Sequence, residues 1–165
     1  VLAASLWYAA RKRAMSETHE LLGVAGLSLG APGAFYAATG AWGTEAVWLW
    51  VLATLFLSGP VFHVKMLVCN RIASVPSPAP GAGERADRAA MDSAVYHGAA
   101  LLAVVGAVAA GAVPAVLAVP FLGALGKTLY YAARRGARLE LKRVGWQEVV
   151  WTAVFVVLSA AGFRA

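Results

Sequence analysis

Five apolar stretches, each close to the length that crosses a bilayer, alternate with short polar connections, and thirteen of the fourteen Lys and Arg residues fall on one side of that ladder. No other feature narrows the fold so far. An α-helix needs about 20 apolar residues to cross the hydrocarbon, and in lipid only a helix or a closed barrel satisfies its own backbone hydrogen bonds. Spans are therefore expected at about 20–39, 46–69, 93–111, 115–133 and 147–163. The expected fold class is all-α, a polytopic transmembrane helix bundle forming a single membrane domain over 1–165. Ahead of these spans, Val1 to Tyr8 is an apolar run too short to cross, followed at once by Arg11-Lys12-Arg13. A signal peptide carries its charges before the apolar run, so 1–10 reads as the second half of a truncated N-terminal helix and the chain as a fragment lacking its N-terminus.

Composition agrees with that class. Hydrophobic residues make up 61% of the chain and charged residues 13%, with a mean hydropathy of +0.69, well outside the balance of a water-soluble domain. The sequence pI near 9.9 does not point to nucleic acid, because the cations sit in short connections beside apolar helices rather than along a groove interleaved with stacking aromatics. Membrane lipids with anionic headgroups are the expected partner. The single cysteine, Cys69, excludes an internal disulfide and reads as a small packing residue.

Orientation follows from the charge. Arg11 to Arg13, Arg71 to Arg88 and Arg134 to Arg143 occupy alternate connections, Lys65 and Lys127 lie just inside the helices that lead there, and Arg164 alone falls opposite. Short basic loops remain cytoplasmic, which places these connections on the cytoplasmic face of a bacterial inner membrane. The longest of them, 70–92, is expected as a Pro/Gly-rich cytoplasmic loop whose Pro76-Ser77-Pro78-Ala79-Pro80-Gly81-Ala82-Gly83 core is neither helix nor strand. Trp48 and Trp50 fall where an interfacial aromatic belt is expected. Ser5 to Lys12 also aligns with Thr128 to Arg135, either as a duplication or because any helix reaching a basic loop ends in aromatics and then cations.

The candidate site comes from the polar residues within the spans, since an ionisable group in hydrocarbon is costly unless paired, hydrated or able to snorkel. His63, Asn70, Tyr96, His97, Lys127, Tyr130, Arg134 and Glu148 all fall in the cytoplasmic half and form the expected ligand-binding set. Lys127, Tyr130, Tyr131 and Arg134 recur at helical spacing and read as a polar stripe on one face. Such a stripe either lines a cationic cavity or is a lysine snorkelling past two tyrosines to the headgroups. His63 and Asn70 share a face that Lys65 does not. Pro32, Pro60 and Pro120 are expected to kink helices. The Gly26 to Gly30 spacing fits a small-residue helix contact, with further close approaches expected at Gly23, Gly106, Gly111, Gly123 and Gly126.

The order of motifs resembles the YwiC-like bacterial membrane proteins. Ala10-Arg11-Lys12-Arg13 precedes a Glu20-Leu21-Leu22-Gly23 helix with Ala31-Pro32; then come Gly59-Pro60, Tyr96-His97 and Lys142-Arg143-Val144-Gly145-Trp146-Gln147-Glu148. The resemblance implies a multi-spanning protein without an assigned activity, and an N-terminal segment with a His-Gly-Ala-Trp-like element that this sequence lacks. Three classes compete for the function. A membrane-embedded transferase of the UbiA type, acting on an isoprenoid or lipid phosphate, needs paired acidic motifs for magnesium, and Glu84, Asp87 and Asp92 are an irregular set interleaved with Arg85 and Arg88. A small transporter would gather the polar set in a cytoplasm-facing pocket for an anion, with a homo-oligomer supplying further helices. A b-type haem would take His63 and His97 as axial ligands. No zinc-type, Walker, metalloprotease or Ser-His-Asp pattern occurs, so the sequence names no metal, cofactor or catalytic residue. The reading adopted is an anionic or lipid-like ligand bound in the polar set.

Overall fold

A computed structural model describes residues 17–134 and 141–163, apart from the side chains of Glu17 and Leu141. The truncated helix expected over 1–10, the Arg11 to Arg13 cluster, Arg164, the first copy of the aligned repeat and most of the 134–143 connection lie outside those residues. The described chain is helical throughout: α1 (Glu17–Leu27), α2 (Gly30–Thr39), α3 (Thr44–Ala73), α4 (Ala82–Ala109), a 3-10 turn (Ala115–Leu117), α5 (Ala118–Ala133) and α6 (Leu141–Gly162). Five segments, Thr18–Thr39, Thr44–Ala73, Ala82–Ala109, Ala115–Ala133 and Lys142–Gly162, are long and apolar enough to cross a membrane. Each expected span overlies one of them, the third and fifth running one or two residues past its end. The chain divides into a first unit ending at Val61 and a second beginning at Phe62, with α3 contributing to both.

In the first unit, the expected span over 20–39 is one helix broken in the middle. Pro32 has no N–H to offer the Ser28 carbonyl, which is taken instead by the Ala31 N–H at 3.0 Å, while the Leu29 N–H turns to the Gly26 carbonyl. That shift releases the Ala25 carbonyl, which accepts the Trp50 indole N–H at 3.0 Å. Trp50 therefore bonds to protein rather than to the lipid interface. Gly40, at φ 71°, ends α2 in the left-handed conformation that glycine adopts most easily, and Trp42 stacks on Tyr36 beside it.

The second unit corrects the loop expected over 70–92. Helix α3 runs on to Ala73 and α4 begins at Ala82, so the non-helical connection spans only 74–81. The reason is an alanine stripe: Ala82, Ala86, Ala89 and Ala90 are buried while Glu84, Arg85, Asp87 and Arg88 are exposed, the 3.6-residue period of an amphipathic helix. At its other end α4 closes in a Schellman motif, with the Ala112 N–H on the Ala107 carbonyl, the Gly111 N–H on the Val108 carbonyl, and Gly111 at φ 69°. Helix α5 then packs back along α4, and α6 packs on α5 and the 3-10 turn.

Polarity inside this unit is inverted relative to a soluble domain. Leu102 is 73% exposed and Val157 64%, whereas His63, Ser93 and Thr128 are 0% exposed. Exposed apolar helix faces of that extent belong against lipid, and the chain is a multi-pass membrane protein. Two apolar layers bracket the polar one. Leu117, Phe121 and Phe155 fill one end of the unit, and Met66, Leu67, Ala89, Ala90 and Val144 the other, with Cys69 packed against them.

Of the glycines expected at close approaches, Gly123 marks one. A Cβ at Gly123 would lie on the ring of Trp151, while none of the described atoms comes within 4 Å of a Cβ placed at Gly23, Gly30, Gly106, Gly111 or Gly126. The contact expected at Gly26 to Gly30 falls where Pro32 has broken the helix.

Candidate functional site

The polar layer of the second unit is assembled from α3, α4, α5 and α6. Antiparallel register between α3 and α4 is set by Phe62 stacked on Tyr96, with ring centroids 4.3 Å apart, and by the Lys65–Asp92 ion pair at 3.9 Å. That register brings His63 and His97 to the same level, their rings 6.5 Å apart. Thr128 of α5 enters between them. Its hydroxyl lies 3.2 Å from His63 Nδ1 and 3.5 Å from His97 Nδ1.

Hydrogen-bond chemistry sets the tautomer of a neutral His97. His97 Nδ1 is 2.7 Å from the Ser93 carbonyl oxygen, which only accepts, so this nitrogen carries the hydrogen. The Thr128 hydroxyl lies within hydrogen-bond distance of His63 Nδ1 and serves it as donor or acceptor according to the His63 tautomer. His63 Nε2 is buried without a partner, as are Ser93 Oγ and Asn70 Oδ1.

A second group lies one helix face away. The Lys127 ammonium donates to Glu148 Oε1 at 2.5 Å, and the two side chains are 9% and 21% exposed. Tyr131 joins the two groups: its ring meets that of His63 edge-on at 5.5 Å and its hydroxyl donates to Gln147 Oε1 at 3.0 Å. The polar stripe expected on α5 therefore divides. Lys127 and Tyr131 turn toward α6, while Tyr130, 50% exposed, carries the Arg134 guanidinium over its ring at 4.6 Å.

Of the expected residues, His63 and His97 thus meet at Thr128 and Lys127 pairs with Glu148, while Tyr131 lies between His63 and Gln147, the sequence neighbour of Glu148. Tyr96 packs edge-on against His97. Asn70 is buried two turns beyond His63, and Tyr130 and Arg134 stand at the exposed margin. Lys127 is held by Glu148 rather than snorkelling free. Thr128, Ser93 and Gln147 were outside the expected set. Thr128 and Ser93 are small hydroxyl residues that a transmembrane helix hides easily in its own backbone, and their only sequence signal is a lie one turn or one residue from His97 and Lys127.

The Thr128 hydroxyl lies against Nδ1 of both histidines expected as axial haem ligands. Glu84, Asp87 and Asp92 run along α4, where Asp92 faces Lys65, and among the described residues no three His, Cys, Asp or Glu side chains converge. No protein-family model, curated protein or solved structure matches the chain.

Proposed function

We propose that this chain is a YwiC-like multi-pass protein of the bacterial cytoplasmic membrane that binds an anionic or lipid-like ligand in the polar layer of its second unit, from the cytoplasmic side. The observation that carries this reading is the Lys127–Glu148 pair, held nearly out of water on helices whose other faces are apolar. Two ions withdrawn from water recover little net stability from each other, and apolar residues fill such positions as well or better. The pair has a use if Glu148 is a surrogate. It keeps Lys127 charged and directed inward until a phosphate or carboxylate takes its place, which is preorganisation of the cation.

The surroundings support the same exchange. The Tyr131–Gln147 bond fixes the flank of the pair, and Arg134 at the exposed margin adds a cation that attracts acidic headgroups. The ordered motifs that resemble the YwiC-like proteins include Tyr96-His97 and Gln147-Glu148, both of which border this layer.

Native mass spectrometry of the protein in nanodiscs containing phosphatidylglycerol tests the reading. Lys127→Met is expected to lower retained acidic lipid about tenfold or more at near-normal expression, and Glu148→Gln to raise it. Equal retention by the parent protein and both variants would remove the anion site.

A further inference from the structure

The Lys127–Glu148 pair balances its own charge, one ammonium on one carboxylate, with side chains 9% and 21% exposed. An anion that takes Lys127 upsets that balance. The same cation then faces two negative groups, and an uncompensated charge with so little water around it is heavily penalised. One positive charge has to be supplied.

A second cation is one source. The other described lysine and arginine side chains of α5 and α6, Arg134, Lys142 and Arg143, are exposed, and Arg134 lies over the Tyr130 ring. Lys65 of α3 faces Asp92 of α4. An imidazole is another source, since His63 of α3 and His97 of α4 both lie within the field of Lys127, and His97 within that of Glu148. A proton on either ring puts a second cation near Lys127 in the same poorly hydrated layer. The remaining source is a proton on the displaced carboxylate itself, which removes the surplus charge where it arises. Tyr131, the other titratable group on this flank, is neutral and donates to Gln147. A protonated carboxyl also gains a donor, so Glu148 can donate to an oxygen of the anion that Lys127 holds.

From this we infer that the anion site is proton-coupled: a singly charged anion enters the layer together with one proton, which comes from the cytoplasmic side and forms an O–H bond on the Glu148 carboxylate. The inference rests on the anion site proposed above for Lys127. It leaves the layer neutral both empty and loaded. The loaded form holds one proton more than the empty one, so binding strengthens as pH falls, by about tenfold per pH unit across the range in which the proton is exchanged.

Dihexanoyl phosphatidylglycerol serves as the probe, because its phosphodiester keeps a single negative charge across the neutral range. It is titrated calorimetrically into the protein in phosphatidylcholine nanodiscs, in bis-Tris and in Tris at the same pH, buffers whose cations do not compete for the site. The dependence of the heat on the ionisation enthalpy of the buffer counts the protons taken up. The parent protein is expected to take up about one proton per lipid and to bind about tenfold more weakly for each unit rise in pH. Glu148→Gln is expected to bind at least as tightly, with neither uptake nor pH dependence, and Glu148→Ala carries the same comparison if Glu148→Gln does not fold. Binding by the parent that is lost in Lys127→Met but brings no proton would overturn the coupling and leave the anion site standing. Uptake that persists in the Glu148 variants would overturn the assignment to Glu148. Absence of binding by the parent, or binding unaffected by Lys127→Met, would remove the anion site, and this inference with it.

Discussion

At the scale of single residues, Thr128 decides the most. Its hydroxyl is hydrogen-bonded to His63 Nδ1 and lies against Nδ1 of His97 as well. Thr128→Val keeps the shape and removes that bond, so it is expected to destabilise the second unit by about 1–3 kcal/mol, read as a lower unfolding midpoint in detergent. Thr128→Ser should restore most of the loss. A variant as stable as the parent would show that water or the α5 backbone serves His63 equally well. Gly123 makes a different demand, because the Trp151 ring occupies the place of a side chain. Gly123→Leu is expected to cost about 1–3 kcal/mol through overpacking, with partial recovery on adding Trp151→Ala. The sequence exposed Lys127 and Glu148 as separate oddities within apolar runs. Their pairing was not readable, because 21 residues and a helix reversal separate them and helix order does not fix which faces meet.

At the scale of elements, proline and glycine set the boundaries, and each does so through a particular bond. The break between α1 and α2 follows from the N–H that Pro32 lacks. Pro32→Ala is expected to restore the regular ladder across 28–33, which amide hydrogen exchange would report as slower exchange there. An unchanged exchange pattern would assign the break to the Trp50 bond to the Ala25 carbonyl instead. Gly111→Ala places a Cβ at φ 69°, where an L-residue is strained by about 1 kcal/mol, and a corresponding fall in thermal midpoint checks it. The extension of α4 back to Ala82 shows where reading by composition fell short. Proline and glycine dominate 76–83 and drew the expected loop outward on both sides, while the alanine period that starts at Ala82 is continuous with the buried face of the span. Charged residues on the opposite face of that turn are solvated helix, not loop.

For the whole molecule, crossing number and charge give a labelling pattern. With Cys69 replaced by Ser, single cysteines at Ala79 and Arg138 are expected to react with an impermeant thiol reagent from the cytoplasmic side. Cysteines at Trp42 and Ala112 should react from the opposite side, because five crossings put alternate connections in alternate compartments. Reaction of Ala79→Cys and Arg138→Cys from different sides would break the proposed topology and remove the cytoplasmic access that the ligand reading uses. The distribution of polarity belongs to the same scale. Exposed Leu102 and Val157 around buried His63, Ser93 and Thr128 describe a molecule whose solvent outside is lipid and whose hydrogen bonds are kept within.

The amino-acid order alone determined that the chain is helical, where its five spans lie and which connections carry the cations. Those properties depend on hydropathy summed over about 20 neighbouring residues and on charge at span ends, both local along the chain. Tertiary structure alone decided that Thr128 would lie between two histidines, that Glu148 would hold Lys127, and that His63, Ser93 and Asn70 would each keep an atom unmatched. Such pairings depend on the rotation and register of one helix against another, and a shift of a single residue turns a helix by about 100°.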